Sequence, residues 1–292
     1  RVQGPMKIGP TGSTIVGWRS FDEPKGWFEL ATDGTETMLW QNFDLEPAAG
    51  FIKDGKLYSY YAKYFFGTLY MSYFVNDLQT GETLESGSFD ETDYSKYVLI
   101  CAYDKANDIA YAYTYSADAE TNWLQKIDPN TQEFTKICEP SVAPRLITYY
   151  PVDGRIYGIS KAGELIRLNT ENGDLEVVGH TGFSPSIYKQ TMVYSPIDKK
   201  FIWAALIGDD LAACVIAVDP ITGEGEKIAD LPLYTEYNIL ETLDVAPEED
   251  IPASPEILSV EFEKASLNGS VTIRTPKQLF GGEDMEDGTE LV

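Results

Sequence analysis

Four segments of this 292-residue chain carry the same short pattern. An alternating apolar stretch runs into Asp or Asn, two residues follow, then Thr or Asn, then usually Gly. The copies are Asp77-Leu78-Gln79-Thr80-Gly81, Asp128-Pro129-Asn130-Thr131-Gln132, Asn169-Thr170-Glu171-Asn172-Gly173 and Asp219-Pro220-Ile221-Thr222-Gly223. Their last residues lie 51, 41 and 50 positions apart, and a period in that range marks a repeat architecture. Each turn carries its own physics. The Asp accepts from following amides, Pro presets the second turn position, and Gly takes the left-handed conformation that closes a hairpin with a bulge.

Runs before and after each turn alternate as strands do, for example Val215-Ile216-Ala217-Val218 and Glu226-Lys227-Ile228-Ala229. A second hairpin precedes the first in every copy, with turns at Lys53-Asp54-Gly55-Lys56, 104–108, Pro151-Val152-Asp153-Gly154 and Pro196-Ile197-Asp198-Lys199. An aromatic recurs just beyond, at Tyr58, Tyr111, Tyr157 and Trp203. The unit is therefore four antiparallel strands, A to D, and a radial stack of such sheets is a β-propeller. A fifth unit is split between the chain ends. Thr14–Trp18, Trp27–Leu30 and Thr37–Trp40 read as strands B, C and D, and Leu240–Val245 supplies strand A. The expectation is an all-β, five-bladed propeller whose ring is closed by both chain ends, which leaves no exposed edge strand.

The propeller is expected to span residues 1–247, followed by an acidic, Pro-rich linker at 248–256. Two strand-like runs, Ile257–Phe262 and Gly269–Ile273, lie in the remaining segment 257–292, which is too short for a complete seven-stranded sandwich.

Net charge is −25, which argues against nonspecific nucleic-acid binding and against attachment to anionic membranes, since both depend on Lys and Arg. No apolar stretch long enough for a transmembrane helix occurs. Residues 1–12 lack an apolar leader core, so any signal peptide is expected to have been removed already. Cys101 and Cys138 fall on strands A and D of one blade and Cys214 on another, so three buried free thiols are expected.

Signatures of catalysis are sparse. One histidine, His180, cannot build a multi-histidine centre, and no Cys-x-x-Cys spacing exists. No cofactor is expected. For calcium, Asp209-Asp210 and Asp90-Glu91-Thr92-Asp93 are the clustered hard ligands.

Turns A–B and C–D are committed to folding, whereas connections B–C and D–A are expected to be longer and to share the opposite face. They carry many aromatics: residues 58–74 alone hold nine. Tyr64, Phe65 and Phe66 are expected in a loop of the second blade, and Phe183, Tyr188, Tyr234 and Tyr237 between blades. Rigid aromatic platforms on variable loops suit sugar rings or the hot spots of a protein partner. Residues entering strand A include Lys96, Arg145 and Lys189. Three cations at one channel rim would attract a carboxylate, such as a uronic or sialic acid or a partner's acidic side chain.

The turn from Val218 to Gly223 resembles the repeat of YVTN-like and quinoprotein-like propellers. Pro255-x-Ile257-x-x-Val260-x-Phe262, with Gly269–Ile273 and Thr275-Pro276, resembles the opening of a fibronectin type III domain. Together they are similar to secreted or surface-anchored proteins of gram-negative gut bacteria. That resemblance implies an extracellular, cell-surface or periplasmic setting, a leader and lipid anchor ahead of Arg1, and glycan or protein binding. Three functions stay open: a non-enzymatic binding or scaffold propeller, a calcium- or carboxylate-dependent hydrolase or lyase acting on a sugar or lactone, and an architectural spacer.

Overall fold

The computed structural model describes residues 14–20, 24–41, 46–66, 68–243, 256–262 and 269–274. Blade I contains β1 (Thr14–Ser20), β2 (Gly26–Leu30) and β3 (Glu36–Gln41). Blade II is β4 (Ala49–Lys53), β5 (Lys56–Phe65), β6 (Thr68–Asp77) and β7 (Thr83–Ser88). Blade III is β8 (Val98–Asp104), β9 (Ile109–Tyr115), β10 (Asn122–Ile127) and β11 (Phe134–Cys138). Blade IV is β12 (Leu146–Tyr150), β13 (Arg155–Ile159), β14 (Glu164–Leu168) and β15 (Leu175–His180). Blade V is β16 (Thr191–Ser195), β17 (Lys200–Ile207), β18 (Ala212–Val218) and β19 (Gly225–Asp230). The last strand of the ring, β20 (Glu236–Leu243), completes blade I in the order β20-β1-β2-β3.

The five sheets form a closed β-propeller. β20 pairs antiparallel with β1 from Thr14↔Leu243 to Ser20↔Glu236, with a bulge between Trp18 and Arg19. This strand begins four residues earlier than Leu240, where the sequence pattern put it; residues 244 and 245 lie outside the described residues.

Turn chemistry follows the repeat. In all four copies the first side chain accepts from an amide two residues on, as Asp219 Oδ1 does from Ile221 N at 2.8 Å. Gly81, Gly173 and Gly223 hold φ of 72°, 79° and 76°. Gln132 takes the same place in the second copy at φ 58°, where a side chain is strained. It is held because its amide is buried and bonded: Tyr60 Oη donates to Oε1 at 3.0 Å, and Nε2 donates to Pro129 O at 2.9 Å. Gln132→Ala keeps the backbone strain and loses both bonds, so it should cost about 1–2 kcal/mol, read as a lower urea midpoint at constant slope.

Every C–D pairing contains a register shift, between Trp27/Phe28, Val75/Asn76, Leu124/Gln125, Leu165/Ile166 and Val215/Ile216. A bulge there sharpens the local right-handed twist and lets each outer strand turn away from the axis. Burial follows the same gradient: β17 and β18 are almost wholly buried, whereas β7 and β19 are mostly exposed.

The core lies between sheets. Phe51, Tyr58 and Tyr60 of blade II pack with Val98, Tyr103 and Ala110 of blade III. Ala102 and Tyr113 meet Ile147 and Ile156 across III–IV, and Tyr157 and Ile159 meet Phe201 and Trp203 across IV–V. Val193 and Val215 meet Phe28 and Leu240 across V–I, and Trp18 and Trp27 meet Ile52 and Leu57 across I–II. Five such interfaces complete the circle. Cys214 is buried, whereas Cys101 and Cys138 are only partly covered, correcting the expectation of three buried thiols; all three are free.

Residues 256–262 and 269–274 belong to a second compact unit. Its described part is a two-stranded antiparallel hairpin, β21 (Glu256–Phe262) with β22 (Gly269–Arg274). Nearly all of the expected linker 248–256 lies outside the described residues.

Candidate functional site

The loop face is built chiefly by the D–A connections. β15 to β16 spans 181–190 and β7 to β8 spans 89–97, whereas the B–C links are tight, such as 160–163 and 208–211. The expected length of the B–C loops is therefore corrected. In blade II Tyr64 and Phe65 belong to strand β5, and of the three aromatics expected in a loop Phe66 alone lies in the turn, at φ 48°. Ala49↔Tyr60 is the last β4–β5 pair and Ser72↔Ser88 the last β6–β7 pair, and β5 and β6 continue alone from Ala62↔Met71 to Phe65↔Thr68. Leu69 and Met71 are buried on one side of this extension, while Phe65 and Phe66 pack edge to face at 4.4 Å and stay exposed beside Tyr70. Tyr64 is placed on β5 by its backbone pairing with Leu69.

Around the channel mouth, three successive D–A loops present apolar side chains to solvent: Val142, then Ile187 and Tyr188, then Leu233 and Tyr234. Ile187 is 78% exposed and Leu233 58%; the turns of the opposite face carry comparably exposed aliphatics at Ile221, Val152 and Ile197, but each of those stands in a separate tight turn. Tyr234 holds φ 63° in a turn closed by Thr235 N donating to Pro232 O. A bulky side chain in the left-handed region is a strained choice, and such strain clusters at binding sites.

Beneath the mouth the channel narrows. Residues from the starts of the inner strands line it: Ala48 and Ala49, Leu99 to Cys101, Leu146 and Ile147, Lys189 to Thr191, and Asn238. They leave a cavity of about 10 Å³, room for roughly one water molecule. Lys189, just ahead of β16 in blade V, donates its ammonium to Leu99 O in blade III, so its side chain crosses the channel between non-adjacent blades. Burial pulls its pKa down to about 8, against the pull of Cys101 and Glu236. Glu236 opens β20 and is buried. Burial pushes its carboxyl up to about 7, opposed by a hydrogen bond from the Lys189 amide and by the Lys189 charge.

The other expected site residues divide sharply. Arg145 is at the mouth, its Nη1 donating to Ile187 O at 3.3 Å. Lys96 is not: it ends a single 3-10 turn, Tyr94–Lys96, and its ammonium sits 4.5 Å over the ring of Phe134 on the outer strand β11. The three-cation rim is therefore corrected to one cation at the mouth and one inside the channel. Tyr237 is not a loop residue but a core residue of β20, 1% exposed, its hydroxyl donating to Glu36 Oε1 at 2.7 Å. Phe183 packs against the core between blades IV and V. Ile187, Leu233, Val142 and Glu236 are neither aromatic nor cationic, and so stand outside the residue types by which the sequence marks this face. The available signal was a proline closely followed by an apolar-aromatic pair, in Pro185-Ser186-Ile187-Tyr188 and Pro232-Leu233-Tyr234.

The acidic clusters hold their own turns. Asp90 Oδ1 accepts from Thr92 N and Oγ1, and Asp93 Oδ1 from Ser95 N and Oγ. Asp209 and Asp210 lie exposed in the β17–β18 turn. Among the described residues no three of His, Cys, Asp and Glu are grouped to hold a metal ion, and no helix is long and apolar enough to cross a membrane. Two open polar grooves, of about 540 and 460 Å³, occupy equivalent places by the C–D turns of blades IV and III. The Arg167–Glu176 ion pair lines the first; in the second, Asp108 is engaged by Lys53, Tyr103 and Asn130.

No family model matches the chain, and no curated protein sequence matches it. Among solved structures it is similar to TolB from Acinetobacter baumannii, at 16% identity over 90% of this chain and 61% of that one, with a TM-score of 0.46. It is also similar to a chain of a nidogen/laminin complex, at 12% identity over 60% of this chain and 61% of that one, TM-score 0.43. A third is the extracellular domain of the one-component system BT4673 from B. thetaiotaomicron, at 13% identity over 93% of this chain and 32% of that one, TM-score 0.38. The chain spans at most 61% of the length of these three.

Proposed function

We propose that this propeller is a non-enzymatic binding module that engages a protein partner through the mouth of its D–A face, outside the cytoplasm. The observation that carries the proposal is the set of exposed apolar side chains on consecutive D–A loops, Ile187, Tyr188, Leu233 and Tyr234, above a channel with room for about one water. A small-molecule site normally encloses its ligand in several hundred Å³. A shallow apolar surface ringed by polar loops has the anatomy of a protein interface instead. The extracytoplasmic setting rests on the resemblance carried by the Val218–Gly223 turn and by the pattern after Pro255.

A panel of candidate extracytoplasmic proteins and a glycan array, screened against the immobilised chain, tests it. Any protein hit should weaken at least about tenfold when Ile187→Glu or Leu233→Glu puts a charge into the apolar contact. Ile221→Glu, on the opposite face, should leave it unchanged. Hits confined to glycans, or hits indifferent to both mouth variants, would remove the protein-binding assignment.

A further inference from the structure

We propose that Arg145 is the receptor for an acidic side chain of the partner, so that the mouth selects a segment with Asp or Glu flanked on both sides by apolar residues. The inference rests on the D–A face being the binding surface and adds the chemistry of what binds there.

Arg145 stands in an anomalous position for this chain. There are 47 acidic residues against 22 basic ones, and the buried Arg19 pairs with Glu36 at 3.2 Å. Arg167 pairs with Glu176, and Arg155 lies close enough to Glu176 to lower its pKa. Arg145 has no carboxylate partner among the described residues. Among these residues the guanidinium makes one hydrogen bond, to a neutral carbonyl, and its Nε is a buried donor with no acceptor. Burial lowers its pKa, with no counter-charge to offset the loss of water.

A guanidinium left in that state costs folding free energy, since a buried donor without an acceptor forfeits its hydration. A carboxylate arriving at the accessible Nη end would accept N–H···O bonds from the guanidinium and supply the counter-charge it lacks, in surroundings drier than bulk water. The flanks specify the rest. Val142 lies three residues before Arg145 in the same loop, and Ile187, whose carbonyl the guanidinium touches, lies in the next. Apolar side chains on both sides of the cation suit a chain that continues past its acid in both directions. The net charge of −25 also makes a second copy of this protein a poor occupant, through self-repulsion.

The test uses two capped peptides, Ac-Leu-Glu-Leu-NH2 and Ac-Leu-Gln-Leu-NH2, titrated to about 10 mM against the full chain. Binding is followed by the arginine Nε–Hε resonances, with that of Arg145 assigned by its disappearance in Arg145→Lys. The Glu peptide should move the Arg145 resonance and bind at least about tenfold tighter than the Gln peptide, the size expected for a charge-assisted bond. Arg145→Lys, with an unchanged melting temperature, should remove most of that preference. Equal binding of the two peptides, abolished by Ile187→Glu, would overturn the acid receptor and leave the apolar binding face standing. No binding of either peptide, or shifts confined to Arg167, would overturn it as well; failure of the binding face itself reads out separately, in the protein panel.

Discussion

Trp203→Ala should lower the stability of the ring by about 3–5 kcal/mol, the usual cost of emptying a buried aromatic site. Trp203 is 0% exposed on β17 and packs with Tyr157, Ile159 and Leu165 of the neighbouring blade. Its partners on either side, Met192 on β16 and Ile216 on β18, are paired to β17 in the same sheet, so they cannot collapse into the void without disturbing register. Its indole Nε1 is buried with no acceptor. Trp203→Phe therefore removes an unsatisfied donor along with some volume and should lose markedly less than alanine. Urea denaturation with a common slope decides the point. A loss below about 1 kcal/mol for alanine would mean that blades IV and V are not packed as described.

The second large effect is a pH dependence with a minimum. Glu236 holds its proton up to about pH 7 in the folded chain, above the ordinary carboxylate value of 4.5. Stability from this group is complete below pH 4.5 and falls as pH rises to 7, by up to about 3 kcal/mol. Lys189 has the opposite sign. Its folded pKa is about 8 against an ordinary 10.5, so its cost is full below pH 8 and disappears as pH rises to 10.5. Water still reaches the partly exposed Lys189, which reduces that gain to the order of 1–2 kcal/mol. The two trends leave a trough between pH 7 and 8. Denaturation midpoints at pH 5, 7.5 and 10 should show it. Glu236→Gln should flatten the acid side and Lys189→Met the alkaline side. A profile unchanged by either variant would place both groups in water.

What the sequence made legible was local. The Asp-to-Gly turns, the alternation of β18 and the count of five blades depend on residues within one hairpin, and the turn bonds of Asp77 and Asp219 follow from spacing alone. Even the closing strand was recoverable, because Leu240–Leu243 keeps the period of an inner strand. The site was less so. Counting back from the aromatic of strand A places Arg145 and Lys189 five residues before Tyr150 and Tyr194, but Lys96 lies seven before Tyr103. The equivalent of Arg145 in blade III is Val98, which is buried, and the 3-10 turn carries Lys96 away to Phe134. Tyr237 failed for a related reason. Four more residues of β20 are zipped to β1 than the alternation implied, and a residue read as loop became core. Exposure of Ile187 and Leu233 is a tertiary outcome, since a neighbouring blade must fail to cover them.

A single rim, and with it a single binding mouth, exists only if β20 is the partner of β1 and the two ends of the ring fold as one sheet. Native-state hydrogen exchange on the full chain and on Gly17→Val reads this directly. A Cβ at Gly17 would meet Ile239 O at 2.7 Å and the Tyr237 ring at 2.6 Å, so valine cannot fit beside β20 without moving its backbone. In the unaltered chain, the amides of β1 and β20 should exchange at the same slow rate as those of β18, as one cooperative unit. In Gly17→Val, protection should fall together in all five blades. Fast exchange of β20 in the unaltered chain, or loss confined to blade I in the variant, would contradict the closed ring.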